Sequence, residues 1–293
     1  MDEQMAHDAQ EGTLRTRGGL QIAAKLWGRA GATPILATHG WMDNAASFDG
    51  VAPLLADDHR LVALDFPGHG KSAHRSKHQT YYFIEYVHDV IAAADALGWE
   101  RFHLLGHSMG ASVAALVAGT FPERIASLSL LEGLGPLTTA PEEAPAQLAK
   151  AIRAHASVIA QPARPSPGVD GLVDRMLAKR SPMEREGARL IAQRVAVEEE
   201  GAGVRFGHDP MLLSPSKLRL TEAHVLAFLG AISAPSLLVL GEDGLRLPDS
   251  MTTPRLQAMR NLQLVEVPGG HHVHLDAPER VAPLILEHIA RAS

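Results

Sequence analysis

The chain is predicted to fold as an α/β protein built on a mostly parallel β-sheet with helices on both faces. Three observations point there. Short unbroken apolar runs end in loop signals at 33–40 (TPILATHG), 59–70 (HRLVALDFPGHG), 101–108 (RFHLLGHS) and 124–133 (RIASLSLLEG), as suits strands buried on both faces. The stretch YFIEYVHDVIAAADALG places Phe83, Tyr86, Val87, Val90, Ile91, Ala94 and Leu97 at three- and four-residue spacing, which makes one apolar helix face. Strand and helix patterns alternate to mid-chain, the signature of a parallel sheet covered by crossover helices.

The elements follow in order. TLRTRGGLQIAAKLWG (13–28) holds two extended stretches around Gly18-Gly19, a hairpin at the start of the sheet. After the fourth apolar run the alternation stops. From 133 to 222 the sequence reads as helical pieces broken by Pro136, Pro141, Pro145 and the loop AQPARPSPG (160–168). Residues 133–222 are therefore expected to form an inserted helical subdomain, and 1–132 with 223–293 the core domain. Charges in the insert are balanced and read as a solvated surface. The sheet pattern resumes at APSLLVLGEDG (234–244), continues through LQLVEVPGG (262–270) and ends in the helix PERVAPLILEHIARA (278–292).

Composition excludes several classes of function. With 27 Lys and Arg against 33 Asp and Glu, the net charge of −6 offers no basic face to nucleic acid or anionic membrane. Cysteine is absent, which removes disulfides, thiolate metal sites and a thiol nucleophile together. The N-terminus MDEQMAHDAQEG is acidic where a signal peptide would be basic then apolar, and no apolar run reaches the ~18 residues of a membrane span. A cytoplasmic protein, monomeric or homodimeric and without membrane insertion, is expected. Gly70-Lys71-Ser72 resembles the end of a phosphate-binding loop, but that motif needs a glycine where this chain has Asp65.

The motif with chemistry in it is LLGHSMGAS. Ser108 lies between Gly106 and Gly110 where a strand should hand over to a helix, a turn that lifts a serine hydroxyl to the carboxyl edge of the sheet. The inert alternative, a small residue in a tight turn, loses weight in that context. A serine nucleophile needs a base and a place for negative charge. VPGGHHVHLDAPE offers His271 at a loop tip, with His272 and His274 as competitors. Metal binding by the HVH spacing is not expected, because no carboxylate or third histidine falls at a clear ligand spacing. THGWMDNAASF offers backbone N–H groups for an oxyanion, from Trp41 together with Met109; His39 either serves that loop or braces it. His107 is expected to pack, and the remaining histidines to be scattered and mostly solvated.

His39-Gly40, DFPGHGKS, GHSMG and GGHHVHLDAPE occur in the order found in α/β-hydrolase fold enzymes, and the chain resembles that superfamily over essentially its whole length. HGWMDNAASF with HHVHLDAP resembles the serine hydrolase-like branch. The resemblance implies an eight-stranded, mostly parallel sheet, a helical cap in the insert, a Ser-acid-His triad with His271 as base, and no cofactor.

It implies cleavage of a small-molecule ester, or a similar activated acyl group, through an acyl-enzyme, in the manner of a carboxylesterase (EC 3.1.1). Carbon–carbon bond or lactone hydrolysis and a ligand sensor with little turnover are the alternatives. Relatives that form alkyl-enzyme intermediates carry aspartate at the position of Ser108. Relatives commonly place the acid three residues after the glycine ending the seventh strand, but here that position is Gly244. Asp243, one position early, is the favoured acid, with Glu132 and Glu242 as alternatives. Trp41, Met42 and Met109 are expected to line an apolar substrate pocket, closed over by Met176, Met183 and Met211-Leu212-Leu213.

Overall fold

Alternation within each buried run decides which way its side chains face. Ile35, Ala37, Leu61, Ala63, Leu105, Leu131, Leu237 and Val239 pack on one side of the sheet with Phe48, Leu55, Ile285 and Ile289. Their neighbours Leu36, Val62, Leu64, Leu104, Leu130 and Leu238 pack on the other with Val90, Ala93, Val113 and Leu229. Runs that are apolar at every position thus fill two cores at once, as a sheet covered on both faces requires. The structure, a computed structural model, describes residues 8–76, 79–160, 164–178 and 183–292. The first seven residues, and 161–163 of the proline-rich loop, lie outside the described residues.

The eight sheet strands are β1 (Gln10–Arg15), β2 (Gln21–Trp27), β3 (Thr33–Thr38), β4 (His59–Leu64), β5 (Phe102–His107), β6 (Ile125–Leu131), β9 (Ser236–Asp243) and β10 (Leu262–Gly270). Two shorter strands, β7 (Ala196–Glu199) and β8 (Gly203–Phe206), form a separate hairpin. The sheet order is β1-β2-β4-β3-β5-β6-β9-β10. β2 runs antiparallel to β1 and β4, and every other pairing is parallel. The expected hairpin and parallel strands are all present. This is the α/β-hydrolase fold.

Helices α1 (Ala52–Leu55), α2 (Glu85–Ala96), α3 (Met109–Thr120) and α10 (Pro278–Ala292) cover the sheet, while α9 (Val273–Asp276) is a single turn. α3 is buried from Gly110 to Ala118. Its run of Ala and Gly lets it lie close: a Cβ on Gly119 would sit 2.3 Å from the carbonyl oxygen of Phe228 in α7 (Glu222–Ala231). Between β6 and β9 come α4 (Ala144–Ile159), α5 (Val169–Leu177), α6 (Arg185–Val195), the β7–β8 hairpin and α7; α8 (Asp249–Ala258) follows β9. The expected border at residue 222 falls on the first residue of α7, whose Val225 and Leu229 belong to the main core.

Two expectations about charged and titratable side chains are corrected. Arg194 in α6 was expected at a solvated surface, yet its side chain is only 4% exposed. It pairs with the fully buried Asp65, Nε lying 3.0 Å from Oδ1, and with Glu11. A charge stays buried here because its partner and hydrogen bonds come with it. Asp65 also accepts from the backbone N–H groups of Ala45 and Lys71, so the segment DFPGHGKS braces the loops around it instead of holding a phosphate. Secondly, His59, His69, His103 and His288 are buried, not solvated. His59 and His103 have hydrogen-bond partners in the Leu55 carbonyl and the Ser127 hydroxyl.

Burial disfavours the charged imidazolium of His39, His69, His103 and His288, and pushes His103 down to about 4 from the ordinary 6.5. The unfolded chain therefore takes up these protons first as the pH drops. Their contribution to stability is complete above about pH 6.5 and is lost progressively toward pH 4. Burial also raises the carboxyls of Asp49, Asp89 (to about 6) and Asp276, which act in the opposite sense, but these are three groups against six once the lowered His107 and His274 are included. The urea midpoint is expected to fall steadily between pH 7 and pH 5; an unchanged or rising midpoint would contradict this account.

Candidate active site

β5 ends at His107 and α3 begins at Met109, so Ser108 alone makes the turn between strand and helix. Its φ of 52° and ψ of −113° lie where a residue with a Cβ is strained, at a cost of about 1–3 kcal/mol. Two glycines make the turn sterically possible. A Cβ on Gly106 would sit 2.6 Å from Ala111 N, and one on Gly110 would sit 2.1 Å from the Thr38 carbonyl oxygen. The Ser108 N–H donates to the Leu131 carbonyl at 2.8 Å, which anchors the turn to β6. Among the described residues the non-glycine residues with positive φ are Met42, Ser108 and Glu132, which lie in the loops leaving β3, β5 and β6. Strain of this kind, gathered at one edge of a sheet, marks a functional site.

That edge is where the topology opens. The chain runs from β3 to β4 on one side and then returns past β3 to β5 on the other, so the loops after β3 and β5 diverge above the strand ends. β10 ends at Gly269, with φ 139°, and Gly270, after which His271 turns toward the crevice. His271 Nε2 lies 3.0 Å from Ser108 Oγ, and its Nδ1 lies 3.0 Å from Glu132 Oε2. The His271 side chain is 8% exposed and that of Glu132 fully buried.

The acid favoured from the sequence is therefore corrected. Asp243 and Glu242 are exposed on β9, and the carboxylate against His271 is that of Glu132. The reason lies in Gly244. A Cβ there would sit 2.2 Å from Glu132 Oε2, so the position at which relatives commonly carry the acid is bare, and the Glu132 carboxylate fills the space. Glu132 reaches it from φ 56° just past β6 and accepts N–H groups from Gly241 and, at 3.0 Å, from Leu245. Among the described residues no lysine or arginine is paired with this buried carboxylate, which is satisfied by two amides and one imidazole.

Met109 is the first residue of α3, so its N–H has no acceptor within the helix and points, with the helix dipole, toward the crevice. The loop carrying Trp41 turns through an Asp43 N–H to Gly40 carbonyl bond of 3.1 Å. The close approach of Gly110 to Thr38 and His39 brings that loop against the start of α3. His39 braces it: Nδ1 donates to the Gly40 carbonyl at 2.7 Å while Nε2 accepts the Phe66 N–H at 2.9 Å. Trp41 is 51% exposed and its indole N–H reaches the Leu212 carbonyl at 3.3 Å. Met42 and Met109 are half-buried against the main core. Met176 and Met183 do not close over this region. They fill a separate cluster with Leu172, Ile191 and Leu275, while Met211 and Leu212 join the main core and Leu213 is exposed.

Sequence reasoning missed the layer behind the serine and histidine. His107 Nε2 lies 2.8 Å from the His271 carbonyl oxygen, and His272 Nε2 lies 3.2 Å from Asp43 Oδ2, a pairing across 229 residues. His274 Nε2 meets Ser47 Oγ at 2.9 Å. Burial pushes His107 down to about 4 and His274 well below the ordinary range. Nothing in the local sequence pairs Asp43 with His272; only the fold does.

Comparison with known proteins agrees with the fold. The family profile described as alpha/beta hydrolase fold matches residues 33–154. A serine hydrolase-like protein of Dictyostelium discoideum is 31% identical, over 96% of this chain and 81% of its own length. A solved structure of a hypothetical protein from Pseudomonas aeruginosa has 39% identity and a TM-score of 0.89, covering 97% of this chain and 100% of that one. The thioesterase domain from the curacin biosynthetic pathway has 28% identity and a TM-score of 0.83, covering 95% of this chain and 99% of that domain. The chain belongs to the α/β-hydrolase superfamily and, within it, to the serine hydrolase-like proteins.

Proposed function

We propose that the protein is a serine hydrolase that cleaves carboxylic esters or thioesters of small, uncharged, apolar acyl groups through an acyl-enzyme. The observation that carries this reading is the chain Ser108 Oγ to His271 Nε2 to Glu132 Oε2, with both contacts at 3.0 Å. His271 takes the Ser108 proton as Oγ attacks the acyl carbon. The tetrahedral oxyanion rests on the Met109 and Trp41 amides, and His271 passes its proton to the leaving alcohol or thiol. Water, deprotonated by His271, then attacks the acyl-enzyme and releases the acid. Glu132 holds the imidazole with Nδ1 protonated and stabilises its cationic form. Residues 133–222 act as the cap, joined to the core through Arg194 with Asp65 and through Trp41 with Leu212. Thioesters enter because a similar fold carries a thioesterase, and the apolar preference rests on Met109, which follows Ser108 in the chain, and on Met42 in the loop after β3.

The test combines labelling with turnover. A fluorophosphonate is expected to modify Ser108 alone, located by peptide mass mapping, and a panel of short to medium acyl esters and thioesters to turn over many times per chain. Neutral acyl groups are expected to react faster than charged ones of equal size. Labelling without multiple turnover would make the protein a ligand sensor with a hydrolase fold. Failure of Ser108 to label would remove the nucleophile.

A further inference from the structure

Behind the Ser108–His271 pair, three buried side chains converge from three separate parts of the chain. Asp43 comes from the loop after β3, His107 immediately precedes Ser108, and His272 immediately follows His271. Asp43 Oδ2 lies 3.2 Å from His272 Nε2 and 3.5 Å from His107 Nδ1, and the three atoms all lie within 4.8 Å of one another. Their side chains are between 0% and 4% exposed.

The hydrogen positions make this cluster incomplete. His107 Nε2 faces the His271 carbonyl oxygen, which can only accept, so Nε2 carries the hydrogen and the neutral ring turns a bare lone pair outward at Nδ1. That Nδ1 has no hydrogen-bond partner and faces a carboxylate oxygen. Two lone pairs directed at each other in a buried place are relieved by a proton or by a metal cation between them. Gly40 leaves room on that side: a Cβ there would lie 2.9 Å from Asp43 Oδ2 and 3.1 Å from His107 Nδ1. A four-coordinate zinc ion with bonds of about 2.0–2.1 Å separates its ligand atoms by about 3.3 Å, and the two distances from Asp43 Oδ2, 3.2 and 3.5 Å, bracket that value. A histidine ligand that donates its other ring N–H to a backbone carbonyl is also the usual arrangement around such an ion, and His107 makes that bond.

We propose that Asp43, His107 and His272 bind a divalent transition-metal ion, with zinc the cation best matched to one carboxylate and two imidazoles in a buried site. The ion lies beside the reacting groups, not among them. It fastens together the loops that carry Trp41, Ser108 and His271. His274 supports the site by packing its ring, tilted by 38°, against His107 with centroids 4.1 Å apart, while Ser47 occupies its Nε2.

The experiment uses the full chain, expressed without a histidine tag, stripped with a chelator and then titrated with zinc alone. Uptake of one zinc per chain is expected, measured by mass spectrometry of the metal and by competition with a zinc indicator. The melting temperature should drop on stripping and recover on reloading. Asp43→Asn and His272→Gln are each expected to weaken zinc binding by about tenfold or more. Ser108→Ala should keep full stoichiometry, since it lies outside the cluster. If the stripped wild-type chain takes up no zinc at tens of micromolar, or takes it up equally well in His272→Gln, the site is a hydrogen-bonded cluster and the proposal is wrong. Wild-type uptake needs no variant to fold, and phosphonate labelling of Ser108 reports on the hydrolase reading separately.

Discussion

Ser108→Ala is expected to reduce turnover of an activated ester on the order of a millionfold where chemistry limits the rate, which is the scale at which removal of such a nucleophile acts. The residual rate would come from the Met109 and Trp41 amides and from substrate binding, which survive the change. Folding should be unaffected, because alanine inherits the backbone that glycines 106 and 110 make possible, including the strained φ of 52°. Glycine at the same position relieves that strain. Ser108→Gly should therefore be equally inactive but more stable than Ser108→Ala by about 1 kcal/mol, seen as a higher urea midpoint. An alanine variant that turns over esters at the wild-type rate would remove Ser108 from the reaction. A glycine variant no more stable than the alanine one would show that the turn is not strained.

Much of this arrangement is legible before any fold is known, because strand-buried runs and the elbow are local patterns. The run RFHLLGHS followed by small helix formers fixes where Ser108 must sit, since only a tight strand-to-helix turn needs Gly106 and Gly110 at those spacings. The histidine loop is legible for the same reason: Gly269-Gly270 ends a strand and releases His271. What is not legible is side-chain reach between strands. Glu132 and Asp243 occupy the ends of neighbouring strands β6 and β9, and the choice between them rests on the empty space at Gly244, which no local pattern reveals. The buried histidines escape for a related cause, because a lone histidine such as His103 gives no local sign of the side chain that partners it, here Ser127, 24 residues away. Arg194 is misread as surface because its partner Asp65 lies 129 residues away.

Glu132→Gln is expected to lower turnover by about ten-thousandfold with the fold retained, whereas Asp243→Asn should stay within a few-fold of wild type. The carboxylate of Glu132 accepts at both oxygens, from Gly241 N–H at Oε1 and from Leu245 N–H and His271 at Oε2. Glutamine has one acceptor oxygen, so its NH2 must face a donor on one side or the other. Turned toward His271 and Leu245, it forces the imidazole into the tautomer with Nδ1 bare, and Nε2 can then no longer take the Ser108 proton. Turned toward Gly241, it strands a backbone N–H in a buried place and still offers no negative charge to the imidazolium that forms during attack. Glu132→Asp keeps the charge but falls short of the space at Gly244, and its rate should lie between those of wild type and Glu132→Gln. Asp243 is exposed, so its amide changes nothing that His271 senses. Gly244→Ala provides an independent check, because its methyl group would occupy the space of the Glu132 carboxylate; it should depress turnover as Glu132→Gln does, without any change of charge. A crippled Asp243→Asn beside a near-wild-type Glu132→Gln, in steady-state assays on the same ester, would move the acid to β9.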